Sequence, residues 1–468
     1  MLTLGILLTF VTGLFLIRYI SDKFTLSETI GLAFPVGLGV QTLLMLLIDA
    51  VGIRLSALSF GIVSLAIIAA TGALIALRVR KNPGFQILPE LSVQPGQYNL
   101  VWLLFVALIV YFEYMNFSKC MYFPVYDKDS IAVFDPLGFM IAREGCFGNL
   151  SFYHSTASVH GPGSHITYTP MLHLSYAYVY LFGATTSKII PGLLFLSFLI
   201  AFYSITKRIA GRTCAAIATF CTMITPEMIA FSSLSATNVM HMIFASLGII
   251  YIAVWLKRHE RHDLYIGSVL LAINLWMRTE GVVFIGAAFC MVAIDALLRK
   301  QYRTMIPVAA AFLPALIWTA FMKLNGLYAE SIAITRPFWD GEKAGTIYRY
   351  MKLLYTNTTY YGWTFVAFIP AIVLNIIQTV RKKDNFYLAG MILLAAFAYA
   401  LVLYQIDYKW DSMHNVLSYS AKRFLFCFVP CVWYYLFSQE LVVKAGKWID
   451  NYLCCCLLYT SPSPRDCS

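Results

Sequence analysis

Charge is what this sequence has least of. Asp, Glu, Lys and Arg make up 12% of its 468 residues, about half the share that soluble domains carry. With 60% hydrophobic residues and a mean hydropathy of +0.73, such a chain cannot clothe a water-exposed surface, so soluble and disordered classes are excluded. Acids are the scarcer sign, 23 against 34 bases, for a net charge of +11. That excess reads as loops facing anionic lipid, and no nucleic-acid partner is expected. No Cys-x-x-Cys pair occurs among the 11 cysteines, which removes the usual zinc modules. Cys214, Cys221, Cys290, Cys427 and Cys431 fall in apolar runs and read as small hydrophobes. Cys120 and Cys146 flank one polar loop, either as a disulfide or as two thiols. A glycine-rich phosphate loop, an internal repeat and a low-complexity tract are also missing. The first 20 residues lack a basic start and a small-residue cleavage site, so they read as a first span and not as a removable signal.

What is present is a series of apolar runs, each about long enough to cross a hydrocarbon core of roughly 30 Å. They lie near 2–20, 30–50, 56–78, 98–117, 169–184, 189–206, 213–232, 238–256, 264–277, 281–298, 304–323, 361–380, 386–404 and 421–440. The fold class is therefore all-α, a polytopic transmembrane bundle of about 13 to 14 segments. Basic clusters set the sides. Arg78 to Lys81, Lys207-Arg208 with Arg212, Lys257-Arg258 with Arg261, Arg299-Lys300 with Arg303, and Arg381 to Lys383 are expected in the cytoplasm. Loops 118–168, 324–360 and 405–420, the turn at Arg278-Thr-Glu280 and the N-terminus then share the outer side. One conflict stands: two hydrophobic segments lie between the outer loop and Lys207, where an odd number is needed, and the first, 169–184, short and rich in Tyr and His, either is broken or does not fully cross.

The first outer loop concentrates negative charge, with Asp127, Asp129 and Asp135 within nine residues. Residues 129–143 place Ile131, Val133, Phe134, Leu137, Met140 and Ile141 at helical spacing, which predicts an amphipathic helix lying on the membrane and stopped by Gly145. His154, His160 and His165 follow in an irregular stretch and match no metal-ligand spacing.

On these residues the chain resembles a family. Asp129-Ser-Ile-Ala-Val-Phe134, Gly145, and His165-Ile-Thr-Tyr-Thr-Pro170 resemble the first outer loop of GT-C glycosyltransferases. Nearest in pattern are the bacterial relatives of protein O-mannosyltransferases and of lipid A aminoarabinose transferases. Trp276-Met-Arg-Thr-Glu-Gly281 and Ala421-Lys-Arg-Phe-Leu-Phe-Cys-Phe-Val-Pro430 are similar to two later motifs of that group, in the same order. The likeness covers roughly 100–440. Phe134 stands where the family has tryptophan, Ile166 and Thr169 where it has prolines, and Ala236-Thr-Asn238 where a second acid is often found. The resemblance implies a polyprenyl-phosphate sugar donor, an extracytoplasmic acceptor that is a lipid, glycan or protein, and a multi-pass protein of the bacterial inner membrane. It implies no particular cofactor and leaves a divalent metal open.

The residues support that chemistry on their own terms. Sugar transfer to a hydroxyl needs a carboxylate to take the proton and fixed cations to hold the departing phosphate. Asp129 is the candidate base, with Asp127 and Asp135 as neighbours, although an Asp ahead of a helix also serves as an N-cap. Arg278 is a candidate phosphate ligand oriented by Glu280, and the same two residues read equally as an ordinary ion pair in a turn. Lys422 and Arg423, cations on the outer side, are further candidates for the donor phosphate. His165, Tyr168, Trp339 and Asp340 are candidate substrate contacts, while most tyrosines from Tyr348 to Tyr361 read as an interfacial belt. Two rival classes remain: a transporter or flippase with the acidic loop as its vestibule, and an envelope-polysaccharide polymerase or ligase.

Four divisions are expected along the chain: an additional three-span segment over 1–97, the GT-C-like module over 98–440, a juxtamembrane segment over 441–455, and a tail over 456–468. The tail, from Cys456 to Asp466, resembles the translation of a transposase sequencing adapter, so it is expected to lie outside the fold and the natural C-terminus to be missing.

Overall fold

The computed structural model describes residues 1–87, 99–151, 168–326, 339–382, 386–405 and 412–458, and no strand occurs among them. In chain order the helices are α1 (Leu2–Ile20), α2 (Leu26–Ala50), α3 (Ala57–Lys81), α4 (Leu100–Tyr122), α5 (Asp135–Glu144), α6 (Met171–Leu181) and α7 (Ile189–Ala210). Next come α8 (Arg212–Met223), α9 (Pro226–Phe231), α10 (Thr237–Arg258), α11 (Arg261–Met277), α12 (Gly281–Arg299), α13 (Met305–Ala310) and α14 (Leu313–Leu324). The last seven are α15 (Gly341–Thr356), α16 (Thr358–Tyr361), α17 (Thr364–Lys382), α18 (Tyr387–Gln405), α19 (Met413–Leu425), α20 (Phe428–Phe437) and α21 (Glu440–Leu458). Among the described residues eleven stretches are long and apolar enough to cross a membrane: α1 to α4, α7, α10, α12, α13 with α14, α17, α18, and α19 with α20. The chain is thus a multi-pass helical bundle. The broken pair α8 and α9, and the 17-residue α11, connect the same two faces.

Those two faces are recognisable from their side chains. On one, Arg258 at the end of α10 donates to the Arg208 carbonyl at the end of α7 (2.9 Å). Arg208 in turn grips Glu28 at the start of α2 and Asp263 at the start of α11. The Tyr387 hydroxyl at the start of α18 donates to Asp295 near the end of α12 (3.5 Å). The basic clusters therefore gather at one end of the bundle. The turn at Arg278, the start of α5 and the end of α19 lie at the other.

The segment near 169–184 does not cross. α6 has 11 residues, about 16 Å at 1.5 Å per residue, roughly half a bilayer core. It begins beside Tyr168 at the face opposite the basic clusters. At its other end the Tyr178 hydroxyl donates to the Gly5 carbonyl (2.8 Å), at the start of α1 on that same face. Gly183, at φ +85°, turns the chain, and the Lys188 ammonium then donates to the carbonyls of Lys119 (3.0 Å) and Phe123 (2.9 Å) at the end of α4. Only α7 crosses between the acidic loop and Lys207, so the parity conflict disappears.

The start of the bundle is tightly knit to the rest. A Cβ on Gly13 would lie 1.8 Å from the Ala33 carbonyl oxygen, and one on Gly31 would lie 2.4 Å from the Ala201 nitrogen. Small residues let α2 pack backbone to backbone on α1 and on α7, so the first helices share one core with the remainder.

The acidic-loop helix forms, with a difference. A π-helical turn over Ser130–Phe134 precedes α5, and Gly145 ends it at φ +72°. Its apolar residues Val133, Phe134, Leu137 and Ile141 are buried, and a Cβ on Gly138 would lie 2.6 Å from Tyr176 Cβ. The apolar face therefore packs on α6, because α6 occupies the place expected for lipid. Cys120 and Cys146 are both free thiols, the first buried and the second half-buried. Residues 324–360, read as a loop, contain the helices α15 and α16. Of the adapter-like tail expected over 456–468, residues 456–458 form the end of α21, and those from 459 onward lie outside the described residues.

Candidate functional site

The three acids of the loop part company. Asp127 is the helix cap: one of its carboxylate oxygens accepts from the Ser130 amide (3.3 Å) and the Ser130 hydroxyl (3.4 Å). Asp129 already has helical backbone angles and makes no capping bond. Its carboxylate reaches out to the Arg423 guanidinium, Oδ2 to Nη1 2.5 Å, with about 30% of each side chain exposed. Asp135 accepts from the Tyr180 hydroxyl (2.5 Å), one outcome of packing α5 on α6.

A second pair stands on the turn between α11 and α12. Arg278 is extended (φ −150°, ψ 140°), which ends α11 and swings its side chain back. A Cβ on Gly281 would lie 2.7 Å from the backbone of Leu275, so the turn closes only on glycine. Arg278 donates two hydrogen bonds to the Glu280 carboxylate, with Nε to Oε2 at 3.1 Å, and Nη1 donates to the Thr237 hydroxyl at the start of α10 (3.1 Å). Burial alone would hold Glu280 neutral, but the adjoining guanidinium outweighs it and brings the carboxyl down to about 2. The reciprocal effect holds Arg278 firmly protonated against its own burial.

Lys422 and Arg423 are neighbours in the last turn of α19, where cations suit the helix dipole. They point apart. Arg423 takes Asp129, while Lys422 pairs with Glu227 and lies over the ring of Tyr360, 4.2 Å from its centroid. The Tyr361 hydroxyl donates to the Lys422 carbonyl, and Tyr399 stacks on Phe424 at 3.6 Å, so the helix end is braced on two sides.

Tyr168 joins the pairs. The Arg278 guanidinium sits 6.0 Å from its ring centroid, and Phe134 of the loop lies 6.4 Å from it on a tilted plane. Burial pushes its phenol up, and Arg278, Glu280, Asp129 and Arg423 all lie close enough to act on it electrostatically. Four sequence-predicted residues, Asp129, Arg423, Arg278 and Glu280, are thus gathered around a fifth, Tyr168. Lys422 adjoins them through the α19 backbone.

Protein-family models, characterised proteins and solved structures give no match to this chain.

Trp339 is 81% exposed and stacks on Tyr404 with ring centroids 6.0 Å apart. Asp340 caps α15, accepting from the amides of Glu342 and Lys343 (3.0 Å each). Both sit at the end of α18, and none of these contacts reaches the paired cations. His165, with His154 and His160, lies outside the described residues. Glu227 is a member that sequence reasoning missed: it stands in an apolar window at the start of the short α9. Its signal was its own cost, because an acid within a span needs a partner.

Behind the Arg278 turn the bundle is polar. Asn238, His241 and Asn274 are at most 2% exposed, and their side-chain nitrogens and oxygens have no hydrogen-bond partner. Among the described residues Asp127, Asp129 and Asp135 do not converge as metal ligands, since each faces a separate donor. The one group among the described residues with closely spaced potential metal ligands, Glu260, His262 and Asp263, is on the basic face, where Arg208 already holds Asp263.

Proposed function

We propose that this chain is a glycosyltransferase of the GT-C kind, moving a sugar from a polyprenyl-phosphate donor to an acceptor hydroxyl at the face opposite its basic clusters. The observation that carries the reading is the state of Asp129. It is free of the capping duty, about 30% exposed beside Tyr168, and held by a single cation on a different helix. A general base needs that placement: reachable by substrate, yet oriented.

Three cations stand on this side of the bundle: Arg278 and Arg423 beside Tyr168, and Lys422, which points the other way to Glu227 and Tyr360. A lipid-linked phosphate competes for them with charge-assisted hydrogen bonds. As Arg423 turns to the phosphate, it releases the Asp129 carboxylate. The acceptor hydroxyl then gives its proton to Asp129 and its oxygen bonds to the anomeric carbon, with inversion. The bond from that carbon to the phosphate oxygen breaks, and the electron pair leaves with polyprenyl phosphate, stabilised by the cations. No metal enters these steps. Under this reading the basic face is cytoplasmic, the membrane is the bacterial inner membrane, and the acceptor arrives from outside.

Asp129→Asn is the direct test. It keeps the size of the side chain and a hydrogen-bonding oxygen but cannot take the proton. Transfer by the purified variant should fall roughly 100-fold or more, while donor binding and yield stay near those of the parent. Asp127→Asn, which can still cap, should retain most activity. Near-normal transfer by Asp129→Asn would remove this residue from the chemistry.

A further inference from the structure

Two cavities adjoin on the basic face, far from the paired cations, and share Tyr265 and Pro307 as a common wall. The larger, about 890 Å³, is an apolar cleft walled by Leu74 and Leu77 of α3, Val269 and Ala272 of α11, and Ile306 and Ala310 of α13. It opens sideways, since Leu77 and Ile306 are 52% and 64% exposed. Arg78 and Lys81, one and two turns along the same face of α3, rim its end. The smaller, about 560 Å³, is a polar bowl holding Arg261, Lys300 and Arg303 with no acid in its lining. None of these three cations makes an ion pair with another described residue. The two non-glycine residues with positive φ among the described residues, His259 and Lys300, both line this bowl. The close of α10 and of α12 in left-handed caps puts the chain ends, and the cations beside them, around one hollow.

We infer that this composite hollow is a binding site for an anionic phospholipid, with the headgroup phosphate in the bowl on Arg261, Lys300 and Arg303 and the acyl chains in the cleft. A free anion would satisfy the bowl alone and leave the apolar cleft without purpose. A neutral lipid would fill the cleft and leave the cations unpaired. Only a molecule with both parts matches both cavities across their shared wall, and basic pockets between membrane helices take such headgroups. The occupant also wedges between α3 on one side and α11 and α13 on the other, and so fills the gap that separates them. This site is independent of the sugar-transfer reading.

The test uses the full chain, purified in detergent and delipidated, then titrated with phosphatidylglycerol, phosphatidylcholine and inorganic phosphate while bound lipid is counted by native mass spectrometry. Phosphatidylglycerol should be retained over phosphatidylcholine. Lys300→Gln should weaken it about 5-fold, and Lys300→Gln with Arg303→Gln about 30-fold, from about 1 kcal/mol per basic side chain near a lipid phosphate. Ala310→Phe, which fills the cleft and leaves every cation in place, should also weaken it. Lys444→Gln with Arg349→Gln, the same loss of charge elsewhere, should not. Equal retention of the two lipids, or an unchanged affinity in the double bowl variant that still elutes as a folded monodisperse species, would overturn the proposal. Displacement of phosphatidylglycerol by inorganic phosphate at equal concentration would overturn it too, because the cleft would then contribute nothing.

Discussion

Asp263→Ala should be among the most damaging single changes in this protein. Asp263 is fully buried, and both its oxygens accept from Arg208, at 2.7 and 2.9 Å. Arg208 also reaches Glu28, 1% exposed, at 3.1 Å. Glu28 accepts from the Tyr251 hydroxyl (3.1 Å), and its other oxygen closes the capping box that starts α2 through Thr25. Arg208 of α7 therefore ties α2 to α11 through one guanidinium, and α10 joins the cluster through Tyr251 on Glu28. Removing Asp263 deletes the bidentate half of that arrangement and leaves a largely buried cation with a single carboxylate. Breaking a buried pair in this way costs about 3–5 kcal/mol, which corresponds to a fall in Tm of roughly 5 °C or more for a chain of this size. With every other cysteine replaced by Ser, the buried thiols Cys427 and Cys431 provide the assay, since they then react with a fluorogenic maleimide only as the bundle opens. Glu28→Gln should cost less, because Arg208 keeps both bonds to Asp263. The two changes should be non-additive, since they share one cation. A Tm shift of less than about 2 °C for Asp263→Ala would refute the clamp.

Further outcomes follow from the fold and site. Asp127→Ala should destabilise by about 1 kcal/mol, the usual worth of an N-cap, and leave donor affinity unchanged, as read by thermal unfolding with and without donor. Gly13→Leu should separate α1 from α2, because even a Cβ would overlap the Ala33 carbonyl, and should lower the yield of folded protein on gel filtration. With native cysteines masked, a membrane-impermeant maleimide added from outside should label Ser151→Cys and spare Lys382→Cys, and the reverse pattern would invert the topology. Arg278→Lys keeps the charge but loses the two-point grip on Glu280, so donor affinity should drop severalfold with little change in Tm, read by isothermal titration.

Much of the bundle was legible because a membrane leaves hydropathy few alternatives: the runs at 2–20, 189–206 and 281–298 become α1, α7 and α12 with ends moved by a few residues. Where capping chemistry was present it corrected the edges. α2 begins at Leu26 and not near 30 because Thr25 and Glu28 form a capping box. The run at 169–184 stayed open between a span and a segment that does not cross, because hydropathy cannot tell a span from a buried helix of 11 residues; its shortness and its tyrosines, of which Tyr176 and Tyr180 pack on α5, were the hint. At the site, Arg278 and Glu280 stood out as charges that interrupt an apolar stretch. The parting of Asp127 from Asp129 was not legible, since it depends on which residue opens the π-helical turn. Nor were the partnerships of Arg423 with Asp129, Lys422 with Glu227, or Arg208 with Glu28 and Asp263. These join residues far apart in the chain, and a single sequence carries no record of such pairing.

The central claim is that Asp129 and the surrounding cations move a sugar off a lipid phosphate. Its most direct test is to supply membranes containing the intact chain with a panel of radiolabelled polyprenyl-phosphate sugars and to follow label into lipid, glycan and protein fractions. The account predicts that at least one donor is consumed, with label passing to an acceptor and polyprenyl phosphate released, and that Asp129→Asn membranes with equal protein content lose this transfer. Label that stays on its polyprenyl phosphate with every donor, or that moves equally in parent and Asp129→Asn membranes, would contradict it.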